Sequence, residues 1–235
     1  MRPLTDRVRL WAALCGPAAV VVSLVGWLVA GVLPIPLGPG SSTSEVVEFY
    51  SHDVRVMTGL VIASFGVSLV LPFVAAVTLE LLEIEGRTPL LSFIQLASGA
   101  ATSVLLLIPM LLMAFLSFRP DRSPELTVTL NDLAWLLFLT PIVPFIIQDV
   151  AIGLAILGDP QQRLPRWLGY LNLWVAFCFL PDPLAFFFHS GPLAWNGVLV
   201  FWLALAAYAV WLVVVGVIIY RRHRGPAVTA VPNAA

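Results

Sequence analysis

Two aspartates stand inside long apolar stretches of this chain, where ionisable side chains are rare. Asp149 follows Gln148 in a stretch rich in Ile and Leu, and Asp182 lies between two prolines. A charged aspartate at the centre of a bilayer costs about 2.5–3.5 kcal/mol on insertion scales, so we expect both residues to face the interior of a helix bundle. Each aspartate then marks either a hydrogen bond between helices or a site for a ligand or a proton.

The polar residues around Asp149 are predicted to share one depth in the membrane. The short polar connection 158–166 favours an antiparallel hairpin, which would place the fourth and fifth apolar stretches side by side. Amides and carboxyls at this depth could simply hold helices together, at about 0.6 kcal/mol per hydrogen bond. They could equally contact a ligand. The residues of this inner group are Gln95, Gln148, Asp149, Tyr170 and Asn172.

A second group of polar residues is predicted at the outer ends of the apolar stretches. Two histidines near carboxylates are a combination that can bind a transition metal. The residues come from separate loops, however, and none of them shows His-x-x-x-His or Glu-x-x-His spacing, so we expect no metal ligand and no cofactor. The residues of this outer group are His52, Asp53, Glu125, Asp132, Asp182, His189 and Asn196.

Prolines predict irregular backbone in the fourth and fifth stretches. Pro141 and Pro144 each remove a helical hydrogen bond, which predicts a kink. Asp182 followed by proline is a favourable helix start, so the helix before it should end near residue 180. Residues 167–180 would then rise only ~21 Å, less than the ~30 Å hydrocarbon core. A break at that depth survives only against protein or a water-filled cavity, as in the broken helices of transporters.

Six apolar stretches must position these residues. A stretch of about 20 apolar residues spans the bilayer as a helix. The composition agrees, with 60% hydrophobic and 11% charged residues and a mean hydropathy of +0.98. We predict an all-α, polytopic integral membrane protein: one domain, residues 1–235, folded as a six-helix bundle, with a disordered tail at 225–235. The expected spans are 10–33, 57–82, 90–118, 133–157, 167–188 and 195–220.

Arginines indicate the orientation of the spans. All 12 basic residues are arginines, and nine of them lie in segments that are inside if the N-terminus is inside. The other three are Arg55, Arg119 and Arg122. This bias predicts that both termini are cytoplasmic. The absence of lysine beside abundant Ala, Val, Leu, Gly and Pro favours a bacterial plasma membrane. Trp11 and Trp167 are expected at the inner interface, and Trp135 and Trp195 at the outer one.

The outer loops carry two signals for helix starts. Ser42 and Glu45 have the spacing of a capping box, which predicts a short amphipathic helix on the outer surface. Asn131 and Asp132 are expected to cap the fourth span.

The sequence lacks the motifs of several enzyme classes. It contains no phosphate-binding glycine loop, no Gly-x-Ser-x-Gly, no His-Glu-x-x-His and no Cys-x-x-Cys-His. We therefore expect no catalytic residues, and a protein that binds or transports a small lipophilic molecule through a polar cavity among spans 3–6. The expected ligand-binding residues are Asp149, Gln148, Asn172, Tyr170, Gln95, Asp182, His189 and His52.

Two alternatives to this expectation stay open. The protein could be an accessory subunit of a larger membrane complex, whose polar residues only hold helices together. It could also be a membrane-embedded, metal-dependent enzyme that uses His52, Asp182 and His189. The expected partners are the lipid bilayer, a lipophilic small molecule and other membrane proteins, but not nucleic acid.

Overall fold

The protein is helical throughout the part of the chain that the computed structural model describes, residues 4–119 and 121–224. Helix accounts for 79% of the structure, and the described residues contain no strand. The predicted tail at 225–235 lies outside the described residues. The α-helices, in chain order, are α1 (Leu4–Ala30), α2 (Thr43–Ser51), α3 (Asp53–Ser68), α4 (Val70–Glu85), α5 (Leu90–Ser117), α6 (Pro124–Leu139), α7 (Val143–Gly158), α8 (Arg166–Cys178) and α9 (Leu203–Arg224).

These helices form six segments that are long and apolar enough to cross a membrane, which confirms the predicted number of spans. α1, α5 and α9 each contribute most of one span, while α3 with α4 and α6 with α7 each combine into one. The segments are Leu4–Ala30, Val54–Glu85, Leu90–Ser117, Pro124–Gly158, Arg166–Phe186 and Val198–Arg224.

The fourth span begins earlier than the sequence suggested. Ser123 occupies the N-cap position and Pro124 the first turn, where a proline with its preset φ favours helix formation. Asn131 and Asp132 consequently lie within α6, so the prediction that they cap the span is wrong. Their positions inside the helix direct Asn131 into a buried contact with α2 instead.

Two spans contain residues outside regular α-helix. α6 ends at Leu139 and α7 begins at Val143, with Pro144 in the first turn of α7. α8 ends at Cys178 and is followed by a 3-10 helix, Asp182–Phe186. The N-cap position of this 3-10 helix belongs to Pro181, and no side chain caps it, so the expected capping role of Asp182 is wrong.

Glycines let α1 and α3 approach backbone to backbone. A Cβ atom added to Gly59 would lie 2.3 Å from the amide nitrogen of Ala30, and one added to Gly26 would lie 2.4 Å from that of Ala63. Neither distance leaves room for a side chain. Small residues of this kind are how membrane helices pack closely, since lipid supplies no hydrophobic drive for association.

The short helix α2 starts as predicted but packs differently. Ser42 forms a capping box, in which its hydroxyl accepts from the Glu45 amide at 3.3 Å and its amide donates to the Glu45 carboxylate at 2.6 Å. These bonds lower the pKa of Glu45. Val46 and Tyr50 of α2 are each 2% exposed and pack against protein, and Tyr50 donates to Asn131 Oδ1 at 2.9 Å. Burial, with a smaller contribution from Asp132, raises the pKa of Tyr50.

Tryptophans divide between the surface and the core. Trp11 and Trp167 are exposed, as an interfacial position requires. Trp135 and Trp195 are each only 4% exposed, so both side chains pack against protein. Trp195 donates to the carbonyl of Leu37 at 2.9 Å, and Trp135 packs edge-on against Phe201.

Candidate ligand-binding site

Three aromatic rings from three different spans meet in the middle of the bundle. Phe145 comes from α7, Phe179 directly follows α8, and Tyr208 belongs to α9. The centroid of Phe145 lies 5.6 Å from that of Phe179 and 5.6 Å from that of Tyr208, and the remaining pair is 6.2 Å apart. Trp211 stacks on the far side of Tyr208 at 5.5 Å. The rings form one cluster, which we call the aromatic cluster.

A cavity of about 50 Å³ lies beside the aromatic cluster, bounded by residues of spans 3 to 6. Its lining is mostly aromatic and aliphatic, rather than the polar lining expected from the sequence. Asp182 and the Tyr208 hydroxyl are the polar side-chain groups among its lining residues in the described part of the chain. A second, neighbouring cavity of about 70 Å³ is lined by residues of spans 1, 2, 3, 4 and 6. The two cavities share Leu106, Phe138, Leu205 and Tyr208 as lining residues.

Asp182 is the acid of the first cavity. Asp182 is 1% exposed, and its Oδ1 atom has no hydrogen-bond partner within the described chain. The end of α8 at Cys178 causes this placement, because Asp182 then starts a 3-10 helix and points inward without capping it. A buried carboxyl oxygen without a partner is costly, and natural proteins retain such groups chiefly where they have a use.

Tyr208 lines the same cavity as Asp182 and also lies near Asp149. The Tyr208 hydroxyl is buried, has no hydrogen-bond partner among the described residues, and lies within electrostatic range of Asp149. Asp149 is itself buried on α7, and its Oδ1 atom is likewise unpaired in residues 4–119 and 121–224. Sequence reasoning missed Tyr208. A lone hydroxyl in the middle of the sixth apolar stretch was the available signal.

Gln95 and Gln148 form a polar layer between α4, α5 and α7. Gln95 accepts a hydrogen bond from the Thr78 hydroxyl at 2.7 Å, which joins α5 to α4. Gln148 lies against Gly99, where an added Cβ would be 2.8 Å from its Nε2 atom. Neither amide nitrogen has a hydrogen-bond partner in the described structure. The two amides therefore keep donor capacity beyond holding helices together.

Asn172 has a structural role that the geometry explains. Its Oδ1 atom accepts from the Trp211 indole at 2.7 Å, and its Nδ2 atom donates to the Leu168 carbonyl at 2.7 Å. It thereby fixes the ring that supports Tyr208. Tyr170, two residues earlier, is 57% exposed on the outside of α8, so the structure does not bring it to Asn172 or to the cavity.

The predicted outer group does not form one cluster. His52 and His189 are exposed, whereas Asp182 is buried; the side chain of Asp53 lies outside the described structure. His189 lies within electrostatic range of Asp132. His52, Asp182 and His189 do not form a set of neighbouring metal ligands in the described structure, which removes the geometric basis of the metal-enzyme alternative.

A cluster of charges ties three spans together at one end of the bundle. Glu80 on α4 is 0% exposed. Its carboxylate forms salt bridges with Arg9 of α1 at 2.5 Å, with His223 of α9 at 2.6 Å and with Arg222 of α9. Glu83 pairs with the same two arginines, at 2.5 Å and 3.1 Å. We call these five residues the inner charge cluster. It places the beginning of α1 and the end of α9 at the same end of the bundle.

Sequence reasoning missed the inner charge cluster. The signal was two glutamates three residues apart, which share a helix face, and arginines at the corresponding ends of the first and last spans. His223, interpreted only as part of a basic cluster that ends the last span, is in fact a partner of Glu80. Glu80, Glu83 and His223 bring possible metal-ligand atoms within 4.8 Å of one another. Arg9 and Arg222 already neutralise both carboxylates, so an ion-pair network explains this group.

In comparisons with protein-family models, with curated proteins and with solved structures, no significant match to this chain was found. The fold and the site therefore define the class: a multi-pass membrane protein of six helical spans with a cavity lined mainly by aromatic and aliphatic side chains.

Proposed function

We propose that this protein binds a small, largely apolar molecule in the cavity beside the aromatic cluster and passes it across a bacterial plasma membrane. The observation that carries the proposal is a cavity among the spans, lined by aromatic rings and one unpaired acid. Ligand pockets are typically concave and apolar with a few placed polar groups, and a buried acid in a membrane span is a functional site by default.

The interrupted spans support the transport part of the proposal. Residues 140–142 separate α6 from α7, and residues 179–181 separate α8 from the short 3-10 helix. Ile142 and Phe179, one from each interruption, line the cavity. Many transporters place substrate sites at discontinuous helices, where helix ends and unwound backbone can contact the substrate. With the arginine bias, both termini face the cytoplasm, and the cavity would open alternately to either side.

Binding of a neutral apolar probe tests the proposal. Ethylbenzene, added to the purified protein in detergent, should raise the midpoint of thermal unfolding, and the rise should grow with the logarithm of its free concentration once that exceeds the Kd. Ala204→Leu places extra carbon atoms in the cavity, since Ala204 is buried and lines it, and should abolish the response. Ala206→Leu is the matched control, because Ala206 is exposed on the same helix, and should respond like the wild type.

The proposal fails if the wild type shows no ethylbenzene-dependent stabilisation. It fails equally if Ala204→Leu and Ala206→Leu respond alike, because the probe would then act outside this cavity. Transport is tested separately, by uptake of the probe into proteoliposomes with and without the protein.

A further inference from the structure

We infer that the molecule taken by this site is a small protonated amine with a single ring-sized apolar group, bound by the Asp182 carboxylate within the aromatic cluster. The inference rests on the proposed function and narrows it to a substrate class. Its basis is the juxtaposition of an unpaired buried acid and three aromatic rings in one cavity.

The chain supplies Asp182 with no cation of its own in the described structure. Lysine is absent from the sequence, and arginine is absent from the segment 123–162, which holds α6 and α7, and from 167–220. No residue lining either cavity in the described structure is basic. A buried carboxylate requires a charged or hydrogen-bonding partner, so a cationic ligand would complete the site.

The aromatic cluster suits the same ligand. The faces of aromatic rings carry negative electrostatic potential and attract a cation within about 6 Å of the ring centroid. Phe145, Phe179 and Tyr208 stand at 5.6–6.2 Å from one another, so a group placed against one ring lies near the others. Aromatic surroundings with an acid at one side are a recognised way to bind an ammonium group.

The neighbouring cavity suits the rest of the molecule. It is lined by apolar groups that include Leu24, Trp27 and Val67, and it shares Tyr208 with the first cavity. At about 70 Å³ and about 50 Å³, neither cavity reaches the about 150 Å³ that admits a benzene ring. A ligand with one ring therefore requires the shared side chains to move so that the two cavities both join and widen, and this limits the apolar group to about one ring.

A matched pair of probes tests this inference in the full-length, detergent-purified protein. Benzylamine and ethylbenzene have the same arrangement of heavy atoms, but the first carries an ammonium group at about pH 7 where the second carries a methyl group. Equilibrium dialysis against protein-free micelles corrects for partitioning into detergent. We expect the wild type to bind benzylamine at least about tenfold more tightly, the usual range for a hydrogen bond to a charged group.

Variants assign this preference to the site. Asp182→Asn should reduce benzylamine affinity about tenfold or more while leaving ethylbenzene affinity nearly unchanged. Asp132→Asn is the matched control, because Asp132 is an acid of the fourth span that lines neither cavity. If Asp182→Asn does not fold, Phe145→Leu provides the second variant, with Phe49→Leu on α2 as its control; only Phe145→Leu should weaken benzylamine binding.

Each outcome decides between the two proposals. Equal binding of both probes, or tighter binding of ethylbenzene, overturns the amine inference and leaves the proposed function standing. A benzylamine preference that survives both Asp182→Asn and Phe145→Leu also overturns the inference, since another site would carry it. Failure of the wild type to bind either probe overturns both proposals.

Discussion

Removing the charge of Glu80 tests whether the inner charge cluster holds the bundle together. Glu80→Gln keeps the size of the side chain but leaves Arg9, Arg222 and His223 without the carboxylate that all three contact. Loss of one partner from a buried ion pair costs about 3–5 kcal/mol, because the remaining charge stays desolvated. The side chains of Arg9 and Arg222 are 15% and 26% exposed, and Glu83 remains, so we expect the lower end, about 3 kcal/mol.

Glu83→Gln is the matched control for this prediction. Glu83 contacts the same two arginines, but its side chain is 42% exposed. Water screens such a pair, so we expect a loss of about 1 kcal/mol or less. The measurement is the free energy of unfolding of each purified variant in mixed micelles, from titration with a denaturing detergent.

A comparison of the two variants decides the question. If Glu80→Gln destabilises the protein no more than Glu83→Gln, the cluster does not join the first, second and last spans in the way described. A double-mutant cycle adds a second criterion: Arg9→Met combined with Glu80→Gln should cost clearly less than the sum of the single changes, because both remove the same interaction.

Two further predictions concern packing between helices. Gly59→Ala should destabilise the protein by about 1–3 kcal/mol or more, because its Cβ would meet the backbone of α1 at 2.3 Å; Gly158→Ala, whose Cβ meets nothing within 4 Å, should be nearly neutral in the same unfolding titration. Tyr50→Phe should cost about 1–3 kcal/mol because it removes the buried hydrogen bond to Asn131, whereas Tyr170→Phe on the exposed face of α8 should have little effect. Equal losses within either pair would contradict the packing described here.

The six spans could be predicted from the sequence because the rule behind them is local. The thickness of the hydrocarbon core sets the length of an apolar stretch, and no knowledge of neighbours is needed. The capping box at Ser42 is equally local, since both partners lie within one helical turn. The start of the fourth span was missed because the segment 124–132 is polar enough to resemble a loop, although Ser123 and Pro124 start a helix there.

The contacts between helices could not be predicted, because they depend on which side of each helix faces protein. In a membrane, lipid tails are as apolar as a protein core, so an apolar stripe does not distinguish the two. The sequence predicted a surface helix at α2 and an interfacial Trp135, whereas Val46, Tyr50 and Trp135 are buried against protein. The ion pairs of Glu80 join residues 71 to 143 positions apart along the chain, which no local pattern specifies.

The candidate site shows the same division. Asp182 was recognisable from its two flanking prolines, and it is the predicted residue that lines the cavity. Tyr208 was not recognised, although it lines both cavities, packs on Phe145 and Phe179, and lies within electrostatic range of Asp149.

A tyrosine in this position has a consequence for the two acids. Asp149 was predicted at the inner depth of the bundle and Asp182 at the outer depth. Tyr208 lines the cavity that contains Asp182 and lies within electrostatic range of Asp149. Its ring lines the cavity of Asp182 and stacks on Trp211, which donates a 2.7 Å hydrogen bond to Asn172 of α8. A ligand that enters beside Asp182 therefore meets a ring supported by α8, and any movement of α8 shifts that ring. The helix whose end places Asp182 in the cavity thus also supports, through Asn172 and Trp211, the tyrosine ring that lines it.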